Sequence, residues 1–156
     1  MFLEEYDTGV PQSPLLLLAI FSIASKYSTD PMCRSDPTRA QTAGENYCKT
    51  ACRLVEEFLD RPRLSTVQGL FLLGKHLEET KNQTFLTKSF MYIGMAVRMA
   101  LDMGLNRDCS GWGLGPPQVE YRNRTWWCLY VLDRAQGSIN GRPFLIQDHD
   151  CAAGKP

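Results

Sequence analysis

The chain has 156 residues, 44% of them hydrophobic and 22% charged, which is the size of one domain; a compact fold of this length buries roughly 70% of its unfolded surface. Lys plus Arg equals Asp plus Glu at 17 each. That balance leaves no polybasic surplus to hold a phosphate backbone, so this stretch is not expected to read DNA by itself.

In chain order, Pro14 fits the first turn of a helix reaching Lys26, with Ser13 as its cap. The apolar run from Leu15 to Ala24 is shorter than the roughly 20 residues a bilayer requires. Its leader carries Glu4, Glu5 and Asp7 where a secretory signal carries positive charge. No membrane partner is expected. Thr29 to Pro37 reads as a loop, and a second helix is expected from Pro37 to Leu59, with Leu54, Val55 and Phe58 on its apolar stripe, Gly44 as a weak point and Arg61-Pro62 as its stop.

Ser65-Thr66-Val67-Gln68 has the pattern of a capping box and predicts a third helix, in which Val67, Leu70, Phe71, Gly74 and Leu77 recur at helical spacing. After a polar turn from Glu78 to Gln83, a fourth helix from Thr84 to Met103 places Phe90, Ile93, Val97 and Leu101 together. Gly104 is its left-handed cap, and Gly94 and Ala96 offer another helix a close approach. Asn106 to Pro117 is rich in Gly and Pro and reads as an exposed loop, whose Trp112 is expected to pack on the helices. A fifth helix follows from Pro117 to Ser138, and the tail is loop with one short turn. With no alternating strand pattern of useful length, the fold class is all-α, a multi-helix antiparallel bundle.

On the fifth helix, Arg122, Trp126, Tyr130 and Asp133 share one face while Trp127, Val131 and Arg134 share the next. This spacing lets Arg122 lie over the Trp126 ring, and both tryptophans are expected among the most buried large side chains. Asp133 is too costly to bury unpaired and is expected to accept from Arg142, Arg98 or a backbone amide. Gly141-Arg142-Pro143 forms a rigid turn that holds Arg142 ready to reach Asp133 or the end of the helix.

Catalytic and metal chemistry find little footing. His149 lies between Asp148 and Asp150 with Cys151 next, but neighbours in sequence point in different directions. No Gly-rich phosphate loop, nucleophile elbow or metal motif is present. The six cysteines, at 33, 48, 52, 109, 128 and 151, form no C-x-x-C pair. Cys48 and Cys52 sit four apart on a helix and are read as half-buried thiols of a reducing compartment, with metal binding or pairing as the alternative. The triplets Asn82-Gln83-Thr84 and Asn123-Arg124-Thr125 fit the glycosylation pattern, which is too short to carry weight.

The segment from Glu120 through Trp126-Trp127 to Asp133-Arg134, followed by Gly141-Arg142-Pro143, resembles the signature of the fungal-specific transcription factor domain, the middle homology region of fungal zinc-cluster regulators. Tyr92 to Asp108, with Arg98 and the Gly104-Leu105 exit, resembles a second block of that family, and Leu64 to Gly74 a third. Asn123 departs from the family, which usually has another basic residue there. The resemblance implies an extension at 1–13 followed by the front part of the regulatory domain at 14–156. It implies a non-catalytic helical regulator of RNA polymerase II transcription, located in the nucleus. Its signature residues Arg98, Gly104, Arg122, Arg124, Trp126, Trp127, Asp133, Arg134, Gly141, Arg142 and Pro143 are then fold-defining. DNA and zinc would be bound by a separate module, with no cofactor in this chain. Partners would be other regions of the same factor, co-regulators or a small-molecule effector. The alternative is a helical small-molecule-binding or enzymatic protein with a cavity between its helices.

Overall fold

Pro14 opens helix α1 (Pro14–Ala24) at a position where its missing N–H costs nothing. Ser13 precedes it, but its hydroxyl caps no amide, and a short 3-10 turn, Ser25–Tyr27, ends the helix. The computed structural model describes residues 12–80 and 83–155. The expected extension therefore lies mostly outside the described residues, as do Asn82 of one glycosylation triplet and the closing Pro156.

The second helix begins later than its apolar stripe predicts. Residues 37–44 form a loop with a 3-10 turn at Ala40–Thr42, and α2 covers only Glu45–Leu54 before tightening into a 3-10 turn at Val55–Phe58. Gly44 is the cause: it adopts φ 78°, and a Cβ there would stand 2.0 Å from the Ser22 carbonyl oxygen of α1. A right-handed helix cannot run through that point.

Helix α3 (Leu64–Glu78) starts one residue before the expected capping box, which does not form. Arg63 is its N-cap without a side-chain bond, and the Thr66 hydroxyl donates instead to the Arg61 carbonyl at 3.2 Å. Helix α4 (Gln83–Asp102) ends where Gly104 takes φ 66° and the Leu105 amide donates to the Ala100 carbonyl at 2.9 Å, a left-handed exit that satisfies carbonyls the helix would otherwise leave open. Helix α5 (Pro116–Asn140) begins behind Gly115, whose amide donates to the Gln118 side chain at 3.0 Å. The only regular element in the tail after it is a 3-10 turn at Asp148–Asp150, among the described residues.

The described residues contain five α-helices and no strand, so the protein is all-α. Helix α3 packs most extensively on α4, then on α1, and α1 also carries α2. The core runs through Leu15, Ala19, Leu70, Leu73, Val97, Ala100, Leu105, Trp126 and Leu129. Close approach falls to glycines other than Gly94, which meets only Leu145 at 3.7 Å. A Cβ on Gly74 would stand 2.5 Å from Ile93, and one on Gly69 3.1 Å from Leu15. Those two positions let α4 and α1 sit against α3.

Candidate functional site

Of the signature residues, Trp127, Asp133, Arg134 and the turn Gly141-Arg142-Pro143 lie along the seam where α5 meets the returning tail, whereas Arg98, Gly104, Arg122, Arg124 and Trp126 lie elsewhere. Asp133 is 5% exposed, and its carboxylate accepts from the Leu145 amide with both oxygens at 3.0 Å and from the Ile146 amide at 3.0 Å. Charge-assisted bonds of this kind offset the desolvation of a buried carboxylate. Of the partners expected for Asp133, the backbone is the one used. Arg142 does not reach it: its guanidinium lies 4.2 Å from the centre of the Phe90 ring, and only its backbone amide meets the helix end, donating to Gly137 at 3.1 Å. The reason is the left-handed turn at Gly141, φ 63°. It reverses the chain so that residues 145 and 146, not the side chain at 142, come back over Asp133. Arg98 lies exposed on α4.

Arg134 donates to the Ile146 carbonyl at 2.9 Å and forms an ion pair with Asp148. The Tyr130 hydroxyl donates to the same carboxylate at 2.8 Å. Tyr130 and then Arg134 hold the Asp148 carboxyl below the usual carboxylate range. The Arg134 guanidinium also stacks between Phe144 at 4.3 Å and Tyr130 at 4.7 Å. Phe144 reaches this place because Gly137 has no side chain: a Cβ there would lie 2.4 Å from the ring. Pro143 sits exposed at the turn.

The two tryptophans divide. Trp126 is fully buried, whereas Trp127 is only partly so, its indole N–H donating to the Gly154 carbonyl at 2.8 Å. Adjacent helical residues point about 100° apart, and here one direction faces the core and the other the tail. Arg122 does not cover Trp126. It donates to the Met103 carbonyl at 2.7 Å and lies 5.0 Å from the Trp112 ring. Trp112 is half exposed, with its ring edge so close to Gly104 that a Cβ there would meet it at 3.0 Å. Arg122 thus ties the loop before α5 to the end of α4. Arg124 pairs with Glu120 at 2.6 Å on the exposed face. His149 and Cys151 are not brought into a catalytic arrangement: His149 faces Asp150 at 3.6 Å and the Cys151 thiol turns to the Gln147 carbonyl.

Two concavities open beside this frame. The first, about 460 Å³, lies between α1, α3 and α5. Leu16, Ile20, Phe71 and Leu72 wall it, and on its floor Gln68 donates to the Thr125 hydroxyl at 3.2 Å. The second, about 390 Å³, lies between α2, α3 and α4 and holds Cys48, Cys52, Lys49, His76, Phe85 and Lys88. His76 is buried, and its Nδ1 donates to the Ser22 carbonyl at 3.1 Å, which fixes the neutral tautomer. Burial, with Lys26 nearby, pushes its pKa down to about 4. No local pattern announces that α4 brings Lys88 and Tyr92 to the two cysteines of α2. No three His, Cys, Asp or Glu groups gather to hold a metal ion among the described residues, and the cysteine spacing does not fit a zinc cluster. No helix among the described residues is long and apolar enough to cross a membrane.

Residues 2–152 match the family described as the fungal specific transcription factor domain, and the chain belongs to that family. An uncharacterized transcriptional regulatory protein of Schizosaccharomyces pombe is 32% identical over 90% of this chain and 18% of its own length. The nitrogen assimilation transcription factor nirA of Emericella nidulans is 31% identical over 91% of this chain and 16% of its own. The nitrogen assimilation transcription factor nit-4 of Neurospora crassa is 28% identical over 90% of this chain and 13% of its own. The chain thus spans less than a fifth of each of these relatives. No solved structure matches it significantly.

Proposed function

We propose that the chain is a non-catalytic regulatory domain of a fungal transcription factor, acting in the nucleus on RNA polymerase II genes, with DNA and zinc bound by a separate module. The observation that carries the DNA half of this reading is the use made of the arginines of α5. Arg122 is bound to the Met103 carbonyl and stacked near Trp112, Arg124 faces Glu120, and Arg134 faces Ile146 and Asp148. A helix that reads DNA needs such groups free for phosphates and base edges. The formal charge of zero points the same way.

The regulatory half rests on the family and on the first cleft. A concavity of about 460 Å³ with apolar walls and a few polar groups is within the range of small-molecule sites. An effector, or another region of the same factor, acts there only through different affinity for two states of the domain. The test has two arms. The purified chain should give no sequence-selective shift of duplex DNA at moderate salt. Inserted between an unrelated DNA-binding module and an activation region, it should change reporter output, and Thr125→Trp, which fills the cleft, should alter that change. A sequence-selective shift by the chain alone refutes the first half. Unchanged reporter output with the folded domain present refutes the second.

A further inference from the structure

We propose that the cleft between α2, α3 and α4 is a covalent capture site for small α,β-unsaturated carbonyl compounds, with Cys52 as the nucleophile and Lys88 as the cation that receives the carbonyl oxygen. This goes beyond the regulatory reading and does not depend on it.

Cys52 lines the cleft and is partly exposed, whereas Cys48, one helical turn earlier, is buried. Their sulfurs are 4.0 Å apart. The two thiols are therefore inequivalent in access: Cys52 is partly exposed and Cys48 is buried. From α4, Lys88 lines the same cleft, with its ammonium 5.5 Å from the Tyr92 ring centre. The contact with Cys48 foremost, helped by Tyr92 and Lys88 nearby, holds the Cys52 thiol below the usual thiol range, while the Cys48 thiol is pushed up by the same contact and by burial. The surrounding charges favour an anion. Lys49, Arg53 and Lys88 line the cleft against the single carboxylate Glu45, which is engaged by Ser35 and Lys49, and His76 is neutral.

The geometry selects addition over disulfide formation. Side chains four apart on a helix have Cβ atoms about 5–6 Å apart, and a disulfide needs about 3.5–4.5 Å. Closing Cys48 onto Cys52 requires deforming α2. An added carbon ligand requires only room, which the cleft of about 390 Å³ supplies, with Leu77 and Phe85 as apolar wall. In the step itself the Cys52 thiolate attacks the β-carbon and one C–S bond forms. The C=C π pair moves to the carbonyl oxygen as an enolate beside the Lys88 ammonium. That ammonium protonates the enolate and regains its proton from water, so no oxidant or reductant is consumed.

The test uses the whole chain and N-ethylmaleimide, itself an α,β-unsaturated carbonyl compound, at less than one equivalent, with peptide mass spectrometry reading each cysteine. Cys128 is the internal reference because it is the exposed cysteine. At pH 6, below the ordinary thiol range, a thiol whose pKa is held low carries more thiolate than an ordinary one. An ordinary cysteine is then under about 1% ionised, and Cys52 should react at least several-fold faster even after the lower nucleophilicity of the more acidic thiolate is allowed for. The preference should shrink as the pH rises into the ordinary thiol range and then reverse, because the less acidic thiolate is the better nucleophile. K88M changes an exposed side chain, so the helix content by circular dichroism should hold. It should slow Cys52 at least several-fold and leave Cys128 unchanged. Faster labelling of Cys128 at pH 6, a Cys52 rate that climbs only through the ordinary thiol range, or an unchanged rate in K88M overturns the proposal. So does rapid formation of a Cys48–Cys52 disulfide with hydrogen peroxide, because it shows that the helix does not resist closure.

Discussion

The layer built by α1, α3 and α4 and the seam between α5 and the tail hold the same chain together by different means. In the layer the contacts are apolar and close, with Gly69 against Leu15 and Gly74 against Ile93 and almost no room for another methyl group. Along the seam the links are polar and run from side chains to backbone: Asp133 to the amides of 145 and 146, Arg134 to the Ile146 carbonyl, Trp127 to the Gly154 carbonyl and Asn106 to the Asp150 carbonyl. Apolar burial has no direction and supplies most of the stability, whereas a hydrogen bond has geometry and fixes where a non-helical strand of chain must lie. Asp133, Arg134 and Trp127 place the tail, which has no helical periodicity of its own to place it.

That difference is most sharply tested by the two adjacent tryptophans, one from each side. Trp126→Ala should cost about 3–5 kcal/mol, as expected for a fully buried aromatic. Trp127→Ala, which loses a partly exposed ring and one bond to Gly154, should cost about half as much. Parallel denaturant titrations give the comparison, and equal losses would erase the distinction between layer and seam. Next in size is Asp133→Ala. It leaves two amides at the seam without an acceptor and should cost about 3 kcal/mol. Proteolysis should then cut the tail beyond Gly141 before it cuts α3 or α4. Simultaneous loss of both regions would mean that the seam is an integral part of the layer.

The sequence made the layer legible and the seam only in part. Stripes at helical spacing, together with Pro14 at the start of the first helix, located the five α-helices of the described residues. They failed for residues 37–44 because the positive φ of Gly44 is imposed by the Ser22 carbonyl, a neighbour 22 positions earlier that no local pattern announces. The arginine chosen for Asp133 failed for a related reason. Charge complementarity is visible in a sequence, but a backbone amide has no residue type, so the partners at 145 and 146 could be named only once the turn at Gly141 was known. Arg122 was drawn to Trp112 instead of Trp126 because the ring on its own helix had already gone into the core.

Acid should act on the layer through His76. Its folded pKa of about 4 lies below the ordinary value of 6.5, so the unfolded chain binds more protons in that interval. The stability this contributes is complete above pH 6.5 and is lost as the pH falls from 6.5 towards 4. With allowance for the open cleft beside the ring, the loss should be about 2 kcal/mol. His76→Asn keeps a donor for the Ser22 carbonyl and removes the titration, so its stability should vary less between pH 7 and pH 4.5. An equally steep decline in the variant would place the acid sensitivity elsewhere.

The smallest effect should come from Arg142, where charge alone had suggested a clamp. Its guanidinium rests on Phe90 of α4 at 4.2 Å, with no carboxylate in contact among the described residues. A cation over an aromatic ring near the surface is worth about 0.5–1 kcal/mol. Arg142→Ala should therefore lower stability by that much, still more than Arg107→Ala, whose side chain lies at the exposed edge of the loop before α5. Arg142→Lys should recover only part of the loss, because a compact ammonium does not stack flat on a ring. The two readings of this residue differ by a factor of several. A carboxylate left unpaired by Arg142→Ala would cost about 3 kcal/mol or more, and a loss of that size would reinstate the ion pair with Asp133. A small loss means that the backbone amides of 145 and 146 already satisfy Asp133, and that Arg142 only steadies the turn against α4.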